Sequence, residues 1–305
     1  MDTQKLTEDL RNFSPSKLEW KFALYTAGKT RDGIELEWNV CNMANIAPWI
    51  ESIRATLLKK PVAEKPVAPY SPFLSDKECI AAIAATDELI SEQIVSICSN
   101  IKSALICAPE FFVSGSIPKP TGYAFFAESG GESAIFLRRS NPFLSGEIRI
   151  TTDNILASTD KPILKLTPAV DFVLLGGACY FFSSNIEKDF MLENRHFAVA
   201  SRHIKTIAEL GIISNIEALE KVVYKPKNAR KFIDFDKKVL EHIVKLSIAD
   251  REDFLSTYGV TIDLNGAMDT MDAEQCELII DLLCCRSCLD PLGRLAVGSN
   301  ITIRQ

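Results

Sequence analysis

The chain has 305 residues, of which 47% are hydrophobic and 24% are charged. These values are ordinary for a globular protein and exclude a disordered chain, a collagen and a coiled-coil rod. Thirty-four Lys and Arg stand against 40 Asp and Glu, and the net charge of -6 excludes a uniformly basic nucleic-acid coat but allows a local basic patch.

The first 120 residues predict an N-terminal α/β region. Alternating side chains predict a strand over residues 20–26, and residues 33–40 predict a second strand that forms a hairpin with it. Residues 46–60 have the apolar spacing of a helix and end in two lysines, which are favourable at a helix C-terminus.

A proline-rich segment separates this helix from the next predicted one. Four prolines within residues 61–72 are incompatible with a regular helix or a central strand, and they indicate a linker or an extended arm. Ser75 and Glu78 then match a capping box, which predicts a helix from there to about residue 104.

Residues 122–183 predict an antiparallel meander. Short apolar or alternating runs are separated by Gly, Pro, Asn and Asp at the spacing of successive strands and turns. The runs are Tyr123–Glu128, Ser133–Arg138, Glu147–Thr152, Ile163–Leu166, Val170–Leu175 and Cys179–Ser183. The last two flank Gly176-Gly177 and form the clearest hairpin.

The pattern becomes helical after Asn185. The predicted helices are 185–192, 194–210, 214–223, 236–248, 250–258 and 272–286, and the stretch from Leu295 to Ile303 predicts a final strand. Strands followed by helices predict the α+β class, with a mostly antiparallel sheet (a meander) followed by a helical C-terminal half. We divide the chain into domains of residues 1–120 and 121–305.

The sequence lacks the motifs of common enzyme classes. It contains no G-x-S-x-G elbow, P-loop, G-x-G-x-x-G or H-E-x-x-H motif. Asp171, Glu187, Asp234 and Asp236 are the carboxylates that a metal-dependent nuclease would use, but no upstream acid stands at a persuasive distance before Asp236. We therefore expect no catalytic residue and keep a nuclease as the alternative.

Nine cysteines, an odd number, argue against a secreted disulfide framework. The one C-x-x-C motif is Cys285-Arg286-Ser287-Cys288, and a zinc site would need further ligands that the sequence lacks. The run continues a helical pattern in which Cys284 and Cys288 are one turn apart. We expect buried thiols, no bound metal and no cofactor.

Positive charge is concentrated in two segments of this acidic chain. Residues 221–238 hold seven Lys and Arg against two Asp, and residues 194–205 add three cations without any acid. On a helical wheel, the three cations share one face, and His196 and His203 flank it. This arrangement favours solvated or anion-facing histidines.

A basic surface on an acidic chain attracts phosphate backbones. We predict that it contacts DNA through Arg195, Arg202, Lys205, Lys225, Lys227, Arg230 and Lys231. No Asn or Gln lies among the helix cations to read base edges, so we expect weak sequence specificity. Two alternatives to DNA binding remain open. The charged segment is a solvated loop, or the chain is a non-catalytic adaptor whose basic face meets an acidic protein.

The sequence predicts a cytoplasmic protein. The uncharged run Phe172–Ile186 has 15 residues, fewer than the about 20 apolar residues of a spanning helix. Residues 1–9 lack the apolar stretch of a secretory signal.

One segment combines an Asp-Phe strand, a glycine turn, an aromatic second strand and an Ile-Glu-Lys-x-Phe sequence that opens a helix. Its characteristic residues are Asp171, Phe172, Tyr180, Phe181, Ile186, Glu187, Lys188 and Phe190. This segment resembles the KwaB family, the second component of the Kiwa anti-phage defence system. Ile186 stands where the family usually has Phe.

The resemblance covers residues 121–305 and implies a dimeric effector that binds DNA. It also implies docking on KwaA, a membrane protein, and therefore recruitment to the inner membrane. It brings no established catalytic set. Apolar side chains over Glu277–Leu283 lie on more faces than one packed helix needs, which fits a homodimer interface.

Overall fold

The computed structural model describes residues 2–30, 33–41, 43, 46–106, 120–141 and 166–285, and the short strands 143–144, 148–150, 156–158, 163–164, 287–289 and 295–297. The chain divides into two compact units. The first unit comprises Met1–Tyr70 and Leu74–Leu192, and the second comprises Ser71–Phe73 and Glu193–Gln305. The boundary that we drew between residues 120 and 121 lies inside the first unit.

The first unit is built on an eight-stranded sheet. The strands of this unit are β1 (Trp20–Thr30), β2 (Gly33–Cys41), β3 (Val67–Pro69), β4 (Ile80–Ala84), β5 (Gly122–Ser129), β6 (Glu132–Arg138), β7 (Phe143–Leu144), β8 (Ile148–Ile150), β9 (Leu156–Ser158), β10 (Ile163–Leu164), β11 (Phe172–Leu175) and β12 (Ala178–Phe181). The four short strands β7 to β10 lie outside the eight-stranded sheet. The sheet order is β2-β1-β5-β6-β11-β12-β4-β3. Its neighbouring strands are antiparallel, except that β3 and β4 are parallel. Separately, β7 pairs with β10, and β8 pairs with β9.

This sheet confirms the predicted α+β class with mostly antiparallel strands. The β1–β2 and β11–β12 hairpins lie where the sequence predicted them. At the tip of the second hairpin, Gly176 and Gly177 have φ values of 57° and 71°. Glycine adopts this left-handed conformation without the strain that a side chain would add.

Three of the four helices of the first unit contribute buried side chains to one hydrophobic cluster on the sheet. The helices of this unit are α1 (Thr3–Asn12), α2 (Ile46–Lys59), α3 (Pro61–Glu64) and α4 (Ser91–Ser103). Leu10 of α1 and Ile50 of α2 are fully buried in the same cluster as Phe22 of β1. Burial of these apolar side chains fixes α1 and α2 against the sheet.

The helix predicted over residues 75–104 is wrong in its first half. Ser75 accepts backbone hydrogen bonds from Glu78 and Cys79, but this turn leads into strand β4 and the helix begins only at Ser91. β4 lies between β12 and β3, with Ile80 almost inaccessible to solvent. Pairing and burial inside the sheet override the helix propensity of its alanines.

The proline-rich segment also contains regular structure. Pro61 opens the single-turn helix α3, a position at which the missing N–H costs nothing. Val67–Pro69 then forms strand β3 at an edge of the sheet, where proline is tolerated. Residues 61–70 are therefore part of the first unit, and the prediction of a linker or an extended surface arm is wrong for the residues of α3 and β3.

The second unit is helical. Its elements are α5 (Leu192–Glu209), α6 (Ile216–Val223), α7 (Pro226–Lys231), α8 (Lys237–Lys245), α9 (Ile248–Ser256) and α10 (Ala273–Leu283), followed by the hairpin of β13 (Ser287–Leu289) and β14 (Leu295–Val297). The sequence did not predict α7, and the helix predicted over 185–192 is a short 3-10 turn at Ser184–Lys188. Across the described ranges of both units, each helix is too short or too polar to traverse a lipid bilayer.

Four helices of the second unit begin at side chains that cap their first backbone N–H groups. The capping side chains accept hydrogen bonds from backbone N–H groups: Asn215 from Ala218 at 3.1 Å, Asp236 from Lys238 at 2.8 Å, Ser247 from Asp250 at 3.2 Å and Asp272 from Gln275 at 2.8 Å. Each such cap stabilises a helix by about 1 kcal/mol. The starts of these helices are therefore determined by local sequence.

Helix α10 uses its apolar side chains inside the second unit. Ile279, Ile280, Leu282 and Leu283 are buried, and Leu278 is partly buried against the same core. The apolar faces that suggested a dimer interface are therefore covered by the helices of the unit itself. The homodimer stays a prediction of the resemblance alone.

The cysteine-rich segment does not continue this helix. α10 ends at Leu283, Cys285 has a φ of 52°, and Cys288 lies in strand β13. The prediction that Cys284 and Cys288 are one helical turn apart is therefore wrong. Among the described residues, no group of three or more His, Cys, Asp or Glu is arranged to hold a metal ion.

Candidate nucleic-acid interface

The junction between α6 and α7 presents two of the predicted cations. Tyr224 ends α6, Lys225 caps α7, and Pro226 occupies the first turn of α7. The buried Asn228 side chain donates a hydrogen bond of 3.0 Å to the carbonyl oxygen of Val222, which ties the two helices together. Lys225 and Lys227 are exposed on this constrained turn.

Helix α5 meets this junction through Tyr224. The Tyr224 hydroxyl donates a hydrogen bond of 3.3 Å to Ser201 Oγ, and the Tyr224 ring centroid lies 6.5 Å from that of Phe197. Lys205 lies one turn beyond Ser201 on α5 and is exposed, as is Arg202. Arg195 of α5 and Arg230 of α7 are half-buried.

We call six of these residues the basic surface. They are Arg195, Arg202, Lys205, Lys225, Lys227 and Arg230. The cations of the two sequence segments thus come from α5 and from the α6–α7 junction that packs on it. The sequence predicted the residues, whereas the contact between the segments was visible only in the structure.

Lys231 does not belong to the basic surface. Its side chain is 9% exposed, and its Nζ lies 2.5 Å from Oδ1 of Asp281, whose side chain is 8% exposed. Asn228, Ala229 and Phe232 are buried with it, because α7 turns this helical stripe toward the core. The assignment of Lys231 to DNA contact is therefore wrong, and its role is a buried ion pair between α7 and α10.

His196 is not a solvated histidine, in contrast to the prediction. Only 1% of its surface is exposed. Burial, together with the positive charge of Arg230, lowers the pKa of His196 from 6.5 to about 4. The ring is therefore neutral at physiological pH and belongs to the packing beneath the basic surface.

The lowered pKa predicts that acid destabilises the second unit. Between pH 6.5 and 4 the unfolded chain binds a proton at His196 that the folded chain does not, so the free energy of unfolding falls as pH falls. At 1.36 kcal/mol per pH unit, the loss is about 3 kcal/mol. Urea unfolding at pH 6.5 and at pH 4 measures the free energy of unfolding at each pH. Between these values it should fall by about 3 kcal/mol less in His196→Leu than in the wild type. An unchanged slope in His196→Leu would contradict the assignment.

The hairpin motif has a structural role in the first unit. The rings of Phe172, Phe181 and Phe190 pack together with centroids 4.6–6.0 Å apart. Asp171 accepts a 2.8 Å hydrogen bond from Arg138 NH1 and a 2.7 Å hydrogen bond from the backbone N–H of Arg139. Burial raises the pKa of Asp171, and these two donors oppose that shift. The motif therefore joins the end of β6 to the start of β11.

A buried network next to this motif was not predicted. The Tyr25 hydroxyl donates a 2.7 Å hydrogen bond to Asp189 Oδ2, and Arg139 Nε donates to both carboxylate oxygens of Asp189 at 3.1–3.2 Å. Burial and the adjacent Asp189 raise the pKa of Tyr25, so the phenol keeps the proton that it donates. Tyr25 and Asp189 are 164 residues apart, a separation at which no local pattern connects them.

Comparison with known families matches the region that contains the hairpin motif and the basic surface. The family model described as "Kiwa protein KwaB-like" matches residues 138–285. This segment belongs to the KwaB-like family. No curated protein and no solved structure matches the chain. The KwaB-like segment begins at Arg138, which binds Asp171, and it contains the whole basic surface.

The carboxylates of the nuclease alternative are divided between the two units. Asp171 and Glu187 lie in the first unit, and Asp234 and Asp236 lie in the second. Asp171 holds Arg138 and the backbone of Arg139, and Asp236 caps α8. Two of these four carboxylates, Asp171 and Asp236, are thus engaged in structural hydrogen bonds.

Proposed function

We propose that this KwaB-like chain is an anti-phage defence protein that binds DNA through its basic surface without reading the base sequence. Family membership supports the role in defence. The observation that carries DNA binding is the packing of the α6–α7 junction on α5 through Tyr224, which brings cations from two segments together. Lys and Arg that neutralise phosphates release condensed counterions, and this release favours binding even for a chain of net charge -6.

The polar side chains at the surface support binding without sequence specificity. Bidentate Asn and Gln side chains are the usual readers of adenine in the major groove. Asn228 lies between Lys227 and Arg230, but it is buried and its amide group donates to Val222. Contacts to phosphates position a protein on DNA and carry no direct sequence information.

Reversal of two exposed charges tests this function. Lys225→Glu combined with Lys227→Glu should lower affinity for duplex DNA by at least about 100-fold at about 100 mM salt and should abolish protection against phage. If the wild-type surface neutralises about four phosphates, log affinity should fall against log salt with a slope of about -3 to -4. Gel retardation or fluorescence anisotropy across a salt series measures both quantities.

A control with the same change of charge separates local contact from net charge. Lys59 and Lys60 are exposed in the first unit, so Lys59→Glu with Lys60→Glu should bind DNA nearly as well as the wild type. Circular dichroism should show both double variants folded, because exposed substitutions rarely cost much stability. Equal retardation of DNA by both double variants would disprove the proposed surface.

The remaining expectations concern partners and chemistry. A homodimer, docking on a KwaA-like membrane protein and recruitment to the inner membrane rest on the family resemblance. We propose no catalytic residue and no cofactor for this function. Magnesium-dependent cleavage of DNA by the purified protein would favour the nuclease alternative, and the absence of any DNA affinity would favour the adaptor.

A further inference from the structure

An aromatic side chain lies among the cations of the basic surface. Tyr224 directly precedes Lys225, and 46% of its surface is exposed. Phe197 covers part of the Tyr224 ring, and the rest of the side chain is open to solvent. The exposed part of Tyr224 is therefore available to a ligand.

The Tyr224 side chain is held in place before any ligand binds. Its backbone N–H donates a 3.0 Å hydrogen bond to the carbonyl oxygen of Glu220 at the end of α6. Its hydroxyl donates to Ser201 Oγ at 3.3 Å, so both ends of the residue are fixed. A group that is already ordered loses little conformational entropy on binding.

We propose that Tyr224 is a stacking platform for an unpaired base, so that the basic surface favours single-stranded nucleic acid over duplex. This inference rests on the proposed function and specifies its ligand. Proteins that bind single strands combine cations along the backbone with aromatic side chains on which bases stack. Lys225 follows Tyr224 in the chain, and Lys205 lies one turn of α5 beyond Ser201, which accepts the hydrogen bond of the Tyr224 hydroxyl. These two lysines would hold the phosphates, whereas bases inside a duplex are already stacked on each other.

Three substitutions separate stacking from packing. Tyr224→Phe keeps the aromatic face and removes the hydroxyl that binds Ser201. Tyr224→Leu keeps an apolar side chain against Phe197 and removes the aromatic face. Trp49→Leu is the matched control, because Trp49 is an exposed aromatic residue of the first unit.

The experiment measures the affinity of the full chain for three probes of equal length at one salt concentration. The probes are an oligodeoxythymidine strand, an abasic strand and a duplex. Because stacking on an aromatic side chain contributes about 1–3 kcal/mol per base, Tyr224→Leu should bind oligodeoxythymidine about 5- to 150-fold more weakly than the wild type. Its affinity for the duplex and the abasic strand should change less than about 2-fold, and Trp49→Leu should resemble the wild type. Tyr224→Phe should lose less affinity for oligodeoxythymidine than Tyr224→Leu does, because it keeps the aromatic face and loses only the hydrogen bond to Ser201.

The outcomes distinguish this inference from the proposed function. If the wild type binds duplex and strand but Tyr224→Leu weakens neither, the stacking platform is disproved and the phosphate-binding surface stands. If Tyr224→Leu weakens all three probes equally, the side chain acts through packing and the inference fails. If the wild type binds none of the probes, the proposed function fails and the inference fails with it.

Discussion

Lys231→Ala is expected to lower the free energy of unfolding by about 3–5 kcal/mol, because it leaves the carboxylate of Asp281 buried without its counter-ion. Both side chains of this pair are less than a tenth exposed, so water cannot replace the lost ammonium group. Replacing both partners with apolar residues, as in Lys231→Met with Asp281→Leu, should recover most of the loss. Urea unfolding followed by circular dichroism measures each difference.

An exposed ion pair in the same unit provides the comparison. Lys237 Nζ lies 3.5 Å from Glu241 Oε1 one turn along α8, and both side chains are about half or more exposed. Lys237→Ala should cost no more than about 0.5 kcal/mol. Equal losses for Lys231→Ala and Lys237→Ala would show that the Lys231–Asp281 pair is accessible to water. The expected difference also excludes Lys231 from tests of DNA binding, since its replacement would unfold the surface that the test addresses.

Asp189→Ala should destabilise the first unit by about 2–4 kcal/mol, since it removes the acceptor of the buried Tyr25 hydroxyl and of Arg139. Most of this cost comes from Tyr25, which is fully buried. The Arg139 side chain is 36% exposed and can be hydrated after the change, so its share is discounted. Tyr25→Phe, which leaves Asp189 bound to Arg139, should cost only about 1–2 kcal/mol.

The exposed pair of Lys102 and Glu128 tests whether burial is the cause. Their side chains are 2.7 Å apart and well exposed in the same unit. Glu128→Ala should therefore lower the midpoint of denaturant unfolding only slightly. A loss in Asp189→Ala no larger than in Glu128→Ala would mean that the network around Tyr25 contributes nothing beyond a surface contact.

Much of the fold could be predicted from the sequence, because the spacing of apolar residues and the residue types that form turns are local properties of the chain. The apolar runs of β5 and β6, the glycine turn before β12 and the spacing of α5 all correspond to elements of the structure. The error before Ser91 arose where distant strands decide the conformation. Ile80–Ala84 is a strand because β12 and β3 pair with it, and neither neighbour is visible in the local pattern.

The candidate site was predicted less completely for a related reason. Charge density located the exposed cations of α5 and α7, but it could not separate Lys227 from Lys231. The two lysines can be distinguished only when residues 226–231 are known to be helical, because Asn228, Lys231 and Phe232 then share a buried stripe. Pro226, a residue favoured in the first turn of a helix, could have indicated that α7 begins there. The Tyr25–Asp189 contact had no such signal, because the two residues are 164 positions apart and meet only in the folded unit.

The position of the β11–β12 hairpin has a consequence for fragments of this chain. The KwaB-like segment starts at the last residue of β6, yet its hairpin lies between β6 and β4, both of which come almost entirely from outside the segment. A fragment cut at residue 138 would expose two unpaired edges on strands that are buried along their whole length. Such edges pair with other chains and aggregate. In this chain the two flanking strands come from outside the matched segment, which is therefore shorter than the unit that folds.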